Sequence, residues 1–245
     1  MVTVCTGFSQ SGYRLYGERF LESFDRHWPR SVDLKVYTEE RTEVPRGECR
    51  SLFDIPGCAA FLDRHRGNVA ANGREPRPGW SAKDRRAGYC YRFDAWKFCR
   101  MAMIPRDAAR DLGDGILVWL DADVMTYRDV PEGFVEGLIG DADVAYLGRV
   151  PKHSETGFIA FRLPEARRLI DAYADLYASD TVFDLLEWHS AYAFDQARGA
   201  TGITGRDLTP SGRGHVWFQS PLGQYMDHLK GARKTIGASR ERPAA

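Results

Sequence analysis

A chain of 245 residues with 43% hydrophobic side chains can bury a full core, and its composition is not that of a disordered protein. Its 34 Lys+Arg and 34 Asp+Glu cancel, and no apolar run approaches the roughly 20 residues that a bilayer span needs, so a membrane span is not expected. Five cysteines (Cys5, Cys49, Cys58, Cys90, Cys99) are scattered without a CxxC pair, which speaks against a cysteine zinc site and for reduced thiols in a cytoplasmic protein.

The opening VTVCTGF predicts a strand over residues 2–8 without a basic leader before it, so no signal peptide is expected. Residues 13–28 follow with apolar or aromatic side chains at 13, 16, 20, 21, 24 and 28, the spacing of a helix that Pro29 stops. LKVYT (34–38) predicts a second strand, and the three elements fit a βαβ unit with a nucleotide-sized crevice at its mouth. Thr6, near the carboxyl end of the first strand, is a candidate contact there. No GxGxxG follows that strand, so the dinucleotide fingerprint of a hydride-transfer enzyme is absent.

Residues 41–90 are rich in Gly, Pro and Arg and predict a long excursion holding one short helix, CAAFLDRH. Beyond it the pattern predicts a helix over 91–103, a strand over 116–120, strands over 144–147 and 157–162, and helices over 164–179 and 181–198. Residues 215–245 form an irregular tail rich in aromatics, Gly and Lys/Arg. All of this fits one α/β domain over 1–245, with no internal repeat.

Two Asp-x-Asp triplets stand out, and context separates them. Asp141 and Asp143 lie between FVEGLIG and DVAYLG, a helix end and a strand entrance, where Asp serves turns. Asp121 and Asp123 end ILVWL, a continuous apolar run that suits a central strand buried on both faces. Ligands of open α/β sheets bind beyond the carboxyl ends of such strands, so this second pair is the candidate site for a hard divalent cation. The tail offers His228-x-x-Gly231-x-x-Lys234: an imidazole that Mn²⁺ accepts, a glycine that lets backbone approach a phosphate, and a point charge.

Four blocks resemble glycosyltransferase family 8, nucleotide-sugar enzymes of the GT-A fold. They are GYRLYGERFLESFDRHW, LVWLDADV, FDQARGATG and HLKGARK, in the expected order. ETGFIAF is similar to the glycine-bearing strand that lines the acceptor side in many such enzymes. The resemblance implies a Rossmann-like α/β fold with a mixed sheet flanked by helices, and transfer of a hexose or pentose from a nucleotide-diphosphate sugar, UDP-linked by expectation, with retention. It implies Tyr13 near the nucleobase, Asp121, Asp123 and His228 on Mn²⁺ or Mg²⁺, Lys234 on the diphosphate, Asp195 and Gln196 near the sugar, and a tail that closes over the donor. The chain departs from the family in Thr235-Ile236 after the lysine and in Ala197 after the Asp-Gln pair. As a whole it is also similar to small glycosyltransferase-like proteins of phage and prophage genomes.

Several residues keep two readings. Glu155 is a spare carboxylate for the acceptor or anomeric centre; Arg92 and Lys97 either neutralise phosphate or bind sugar hydroxyls, or belong to an exposed helix face. His189 is acceptor-side or structural. Residues 64–106 carry 11 Lys+Arg against 3 Asp+Glu, with Trp80, Tyr89 and Tyr91 interleaved, which suits either a solvated surface or a grip on a polyanion. A hydroxymethylated pyrimidine in DNA is therefore one candidate acceptor beside a cell-envelope saccharide, a lipid-linked intermediate or a small molecule. The rivals to glycosyl transfer are a nucleotidyltransferase, which FSQSGYR is too poor in glycine to support, and an inactive nucleotide-sugar binding protein.

Overall fold

The computed structural model describes residues 1–40, 42–209 and 215–236, so the end of the expected tail lies outside the described residues. β1 (Val2–Phe8) pairs in parallel with β2 (Val32–Thr38), and β2 with β3 (Glu48–Ser51). On its other side β1 pairs in parallel with β4 (Gly115–Leu120), which is followed by the short β5 (Val124–Thr126). β6 (Val144–Arg149) and β7 (Lys152–Leu163) are antiparallel, and β7 returns antiparallel beside β4. With β8 (Gly205–Asp207) parallel to β6, the order is β3-β2-β1-β4-β7-β6-β8, a seven-stranded mixed sheet. A separate antiparallel pair joins β5 to β9 (Met226–His228).

Helices flank the sheet. α1 (Gln10–Gly12), a π-helical turn at Tyr13–Gly17 and α2 (Glu18–His27) follow β1. α3 (Pro56–Arg64) and α4 (Ala82–Ala87) lie in the excursion, and α5 (Ala95–Arg110) leads into β4. α6 (Phe134–Ile139), α7 (Arg167–Ala178) and α8 (Ser190–Thr201) follow, and the tail holds α9 (Val216–Gln219) and α10 (Arg233–Ile236). Strand alternation divides the core. Val2, Val4, Val118 and Leu120 pack with residues of α2 and α6; Cys5, Leu117 and Trp119 pack with residues of α3, α5, α7 and α8. β1 and β4 are thus buried on both faces, as an apolar central parallel strand requires. Among the described residues no helix is long and apolar enough to cross a membrane.

Three elements differ from the sequence pattern. The excursion is not mere loop: it adds β3 to the sheet edge and α4, whose Ser81 and Asp84 form a capping box. α5 runs through Pro105 to Arg110, because Met103, Ile104, Pro105, Ala108 and Ala109 are all buried and their packing outweighs the roughly 3 kcal/mol that an interior proline costs. The continuous helix expected over 181–198 is instead a 3₁₀ turn at Thr181–Asp184, an extended link, and then α8. Trp188 decides this: it is buried against Phe93 and Phe183, and its N–H donates to the Arg92 carbonyl at 2.7 Å.

The second Asp triplet sits at the entrance of β6. Asp143 accepts from the Thr204 N–H at 3.2 Å, while Asp141 is exposed. Asp143→Ala should therefore cost about 1 kcal/mol. In thermal melts of a chain this size that lowers Tm by about 2–4 °C, and Asp141→Ala should leave Tm unchanged.

Candidate active site

Asp121 leaves β4 with its N–H donated to the Gly157 carbonyl of β7 at 2.9 Å, and Val124 N–H returns to the Asp121 carbonyl at 3.0 Å. This turn releases the chain into β5. There the register with β9 places Val124 opposite His228, and Leu229 N–H donates to the Asp123 carbonyl at 2.9 Å. Two backbone ladders thus bring together residues more than 100 positions apart. His228 Nε2 lies 3.0 Å from Asp123 Oδ1 and 3.4 Å from Asp121 Oδ2.

Glu155 of β7 stands behind the imidazole. Its Oε1 is 3.3 Å from His228 Nδ1, within ion-pair range but without the alignment of a hydrogen bond. Its Oε2 pairs with Lys230 and, at 3.2 Å, with Arg149. Lys234 Nζ pairs with Asp123 Oδ2 and stands 5.1 Å from the Tyr16 ring centroid. Trp119 Nε1 donates to Asp121 Oδ1 at 2.9 Å.

Burial and close opposite charges compete here. Burial would lower the His228 pKa, but Asp123 and Glu155 override it and push it up to about 10, so the ring is an imidazolium. Against burial, His228 and Lys234 hold Asp123 well below the usual carboxylate range, and His228 and Lys230 do the same for Glu155. Burial pushes Asp121 up to about 6, with His228 pulling it down and Asp123 and Glu155 pushing it further up. Burial, then Asp123 and Asp121, push Tyr16 up to about 12.

Asp121, Asp123 and His228 form a group that can hold a metal ion. Two carboxylates and one imidazole are a donor set for Mn²⁺, and for Mg²⁺ completed by water and phosphate oxygens. The spacings of 3.0 and 3.4 Å approach the edge of an octahedron with ~2.1 Å bonds, about 3 Å. The imidazolium now supplies positive charge where a bound cation would supply it. The residues fit the group.

Beside them opens a cavity of about 620 Å³, lined among others by Gly7, Tyr16, Glu39, Lys97, Arg100, Asp121, Asp123 and Lys234. That volume is within the roughly 300–1,000 Å³ of small-molecule sites. Asn72, Arg74 and Tyr89 also line it, so the excursion forms part of its wall.

The other candidates fall into two groups. Thr6 is fully buried beneath the cavity's Gly7, its Oγ1 without a hydrogen-bond partner among the described residues. Tyr13 stacks on Phe8 at 5.7 Å and does not line the cavity, whereas Tyr16, three residues on, does. Arg92 is away from the cavity, paired with Glu187 at 3.3 Å and Asp84 at 3.6 Å. Asp195 accepts from Ser154 N–H at 2.9 Å and Oγ–H at 2.6 Å, next to Glu155, and Gln196 is exposed beside it. Gly231 has φ +59°, the left-handed turn that returns the chain so that Lys234 N–H reaches the Gly231 carbonyl at 3.1 Å.

Sequence reasoning missed Tyr16, Lys230, Arg19 and the task of Gly157. Arg19 donates to the carbonyls of Lys234 and Thr235 and so ties the tail to α2. A Cβ on Gly157 would sit 2.6 Å from His228 Nδ1 and 3.1 Å from the Trp217 ring. A glycine inside a strand is the signal for such close approach, and it was available in ETGFIAF. Gly157→Ala should displace the His228 ring and weaken Mn²⁺ binding by roughly tenfold or more, read from free Mn²⁺ by electron paramagnetic resonance. Unchanged affinity would mean that His228 need not occupy its present position.

No protein-family model and no curated sequence matches the chain. Among solved structures, mouse xyloside xylosyltransferase 1 in its apo form is similar, with a TM-score of 0.47 and 10% identity over 84% of this chain and 84% of that one. That likeness is too slight to argue from.

Proposed function

We propose that this chain is a metal-dependent glycosyltransferase of the GT-A type that uses a nucleotide-diphosphate sugar, UDP-linked, with Mn²⁺ or Mg²⁺ on Asp121, Asp123 and His228. The observation that carries the reading is the convergence of these three side chains and Lys234 at the exit of a central parallel strand, beside a cavity of nucleotide size. When bound, the cation supplies Lewis-acid stabilisation of the departing nucleoside diphosphate.

The protein's own groups do the rest. Lys234 exchanges its contact with Asp123 for the diphosphate and offsets the negative charge that grows on the leaving group. Gly231 exposes backbone beside it. Glu155, buried against His228, Lys230 and Arg149, orients the imidazole. Tyr16 and the Glu39–Arg100 pair, 2.8 Å apart, line the nucleoside end, with Thr6 and Tyr13 supporting that wall from behind. Lys97 faces the cavity as a further cation beside Lys234, Arg74 and Arg100. Asp195 and Gln196 serve the sugar side, with Arg92 fixing the neighbouring Glu187 segment. We take transfer of the hexose or pentose to retain configuration, the departing phosphate accepting the acceptor proton. The chain acts as one domain, with the described part of the tail, residues 215–236, closing over the donor. Its five unpaired cysteines fit a reducing compartment such as the cytoplasm.

Asp123→Ala, or the wild type in EDTA, should lose nucleotide-sugar hydrolysis and transfer while far-UV circular dichroism is retained. Full activity in EDTA would end the metal-dependent reading. Nucleotide-sugar binding without any turnover would leave a binding protein.

One observation favours a polyanionic acceptor such as hydroxymethylated DNA of phage type. Lys83, Arg85 and Arg86 on α4 are exposed with no ion-pair partner among the described residues, although Arg64, Arg92, Arg100 and Arg106 of the same stretch are paired. Substituting both Arg85 and Arg86 by Ala should flatten the log–log salt dependence of DNA binding by about 2, one for each lost phosphate contact. Transfer to a small glycoside that ignores salt, with none to DNA, would exclude it.

A further inference from the structure

Outside the Asp121 site, a second set of metal-ligating side chains converges. His153 lies at the start of β7, Glu187 in the extended link before α8, and His189 at the N-cap of α8. One ligand atom from each lies within 4.8 Å of the others. Glu187 Oε2 is the common point, 2.9 Å from His189 Nε2 and 3.8 Å from His153 Nε2. A tetrahedral ion with bonds of ~2.05 Å separates its ligands by about 3.3 Å, so these spacings bracket what such an ion requires.

The surroundings hold each ligand in place. Arg92 takes Glu187 Oε1 at 3.3 Å and leaves Oε2 to the two rings. Tyr91 packs on His189 at 5.5 Å and Tyr192 edges His153 at 4.8 Å. The far nitrogen of His153, Nδ1, faces Asp195 Oδ2 at 4.0 Å, the outer carboxylate that commonly orients a metal-bound imidazole. The arginines nearby have carboxylates of their own: Arg92 also meets Asp84, Arg149 meets Glu155 and Arg198 meets Asp195.

We propose that His153, Glu187 and His189 form a second cation site, selective for an imidazole-loving transition ion of the Zn²⁺ class and distinct from the carboxylate-rich Asp121 site. Two imidazoles select Zn²⁺, Co²⁺ or Ni²⁺ over Mg²⁺ or Ca²⁺. Three protein ligands leave one position open, and His153, with its side chain 38% exposed, stands toward solvent. The inference does not rest on glycosyl transfer.

Zn²⁺ is the probe, titrated calorimetrically into the full chain after stripping with chelator. His153→Ala, a change at a partly exposed side chain, should remove one equivalent from the wild-type stoichiometry. Asp123→Ala should remove a different one, so that the double variant loses two. Asp195→Asn should weaken the His153 equivalent roughly tenfold. In Asp123→Ala, where the first site is removed, a Co²⁺ complex should show intense tetrahedral ligand-field bands that adding His153→Ala abolishes. Wild-type stoichiometry in His153→Ala, or a thiolate charge-transfer band that places the ion on cysteine, would overturn the proposal.

Discussion

Asp123 and Glu155 are buried, and Asp121 half-buried, at the carboxyl end of the central sheet, where an uncompensated buried carboxylate costs several kcal/mol or more. Cations from the tail offset that cost: His228 stands between all three carboxylates, Lys234 meets Asp123 and Lys230 meets Glu155. The β5–β9 ladder exists to make this meeting possible. Its three residue pairs would be a poor sheet alone, and Trp217, whose indole donates to the Met226 carbonyl at 2.8 Å, packs it into the core. Removing the tail would strip the carboxylates of their counter-charges, so the segment that completes the site also determines whether the strand exit can be acidic.

The same compensation prepares the site for cations. Buried carboxylates held ionised by an imidazolium and an ammonium are ligands whose partners can be exchanged. On the proposed function, a divalent ion would take the place of the imidazolium's charge, and the donor diphosphate would take the ammonium. The cavity beside them draws its walls from β1, the π-helical turn, α5 and the excursion. The excursion therefore lines this cavity, through Asn72, Arg74 and Tyr89, as well as extending the sheet by β3.

Two polar clusters meet along the first residues of β7. His153 belongs to the Glu187 group, Ser154 holds Asp195, and Glu155 backs His228, so successive residues serve different neighbours. The register between β6 and β7 shifts here, with Leu147 opposite Glu155 and Arg149 opposite Lys152, and this break in regular alternation lets one short segment meet both α8 and the tail.

The parts legible in sequence were those with a local cause. ILVWL ending in Asp-Ala-Asp announced a buried strand with carboxylates at its exit, and the position of Asp141 and Asp143 at a strand entrance was legible too, although the Asp143 carboxylate accepts from Thr204, 61 residues away, and not within a local turn. The βαβ opening and the α7 helix were readable for the same reason, as periodic apolar faces. What sequence could not decide depended on contacts between distant segments. Pro105 inside α5, the break before α8 set by Trp188, and β3 at the sheet edge each run against local pattern because packing elsewhere outweighs it. The choice of Tyr16 over Tyr13 at the cavity, and of Arg92 for Glu187 rather than the cavity, followed from a π-helical turn and a tertiary ion pair that leave no periodic trace. Gly157 beneath His228 needs the same explanation: a glycine signals that something approaches, but only the folded chain determines what.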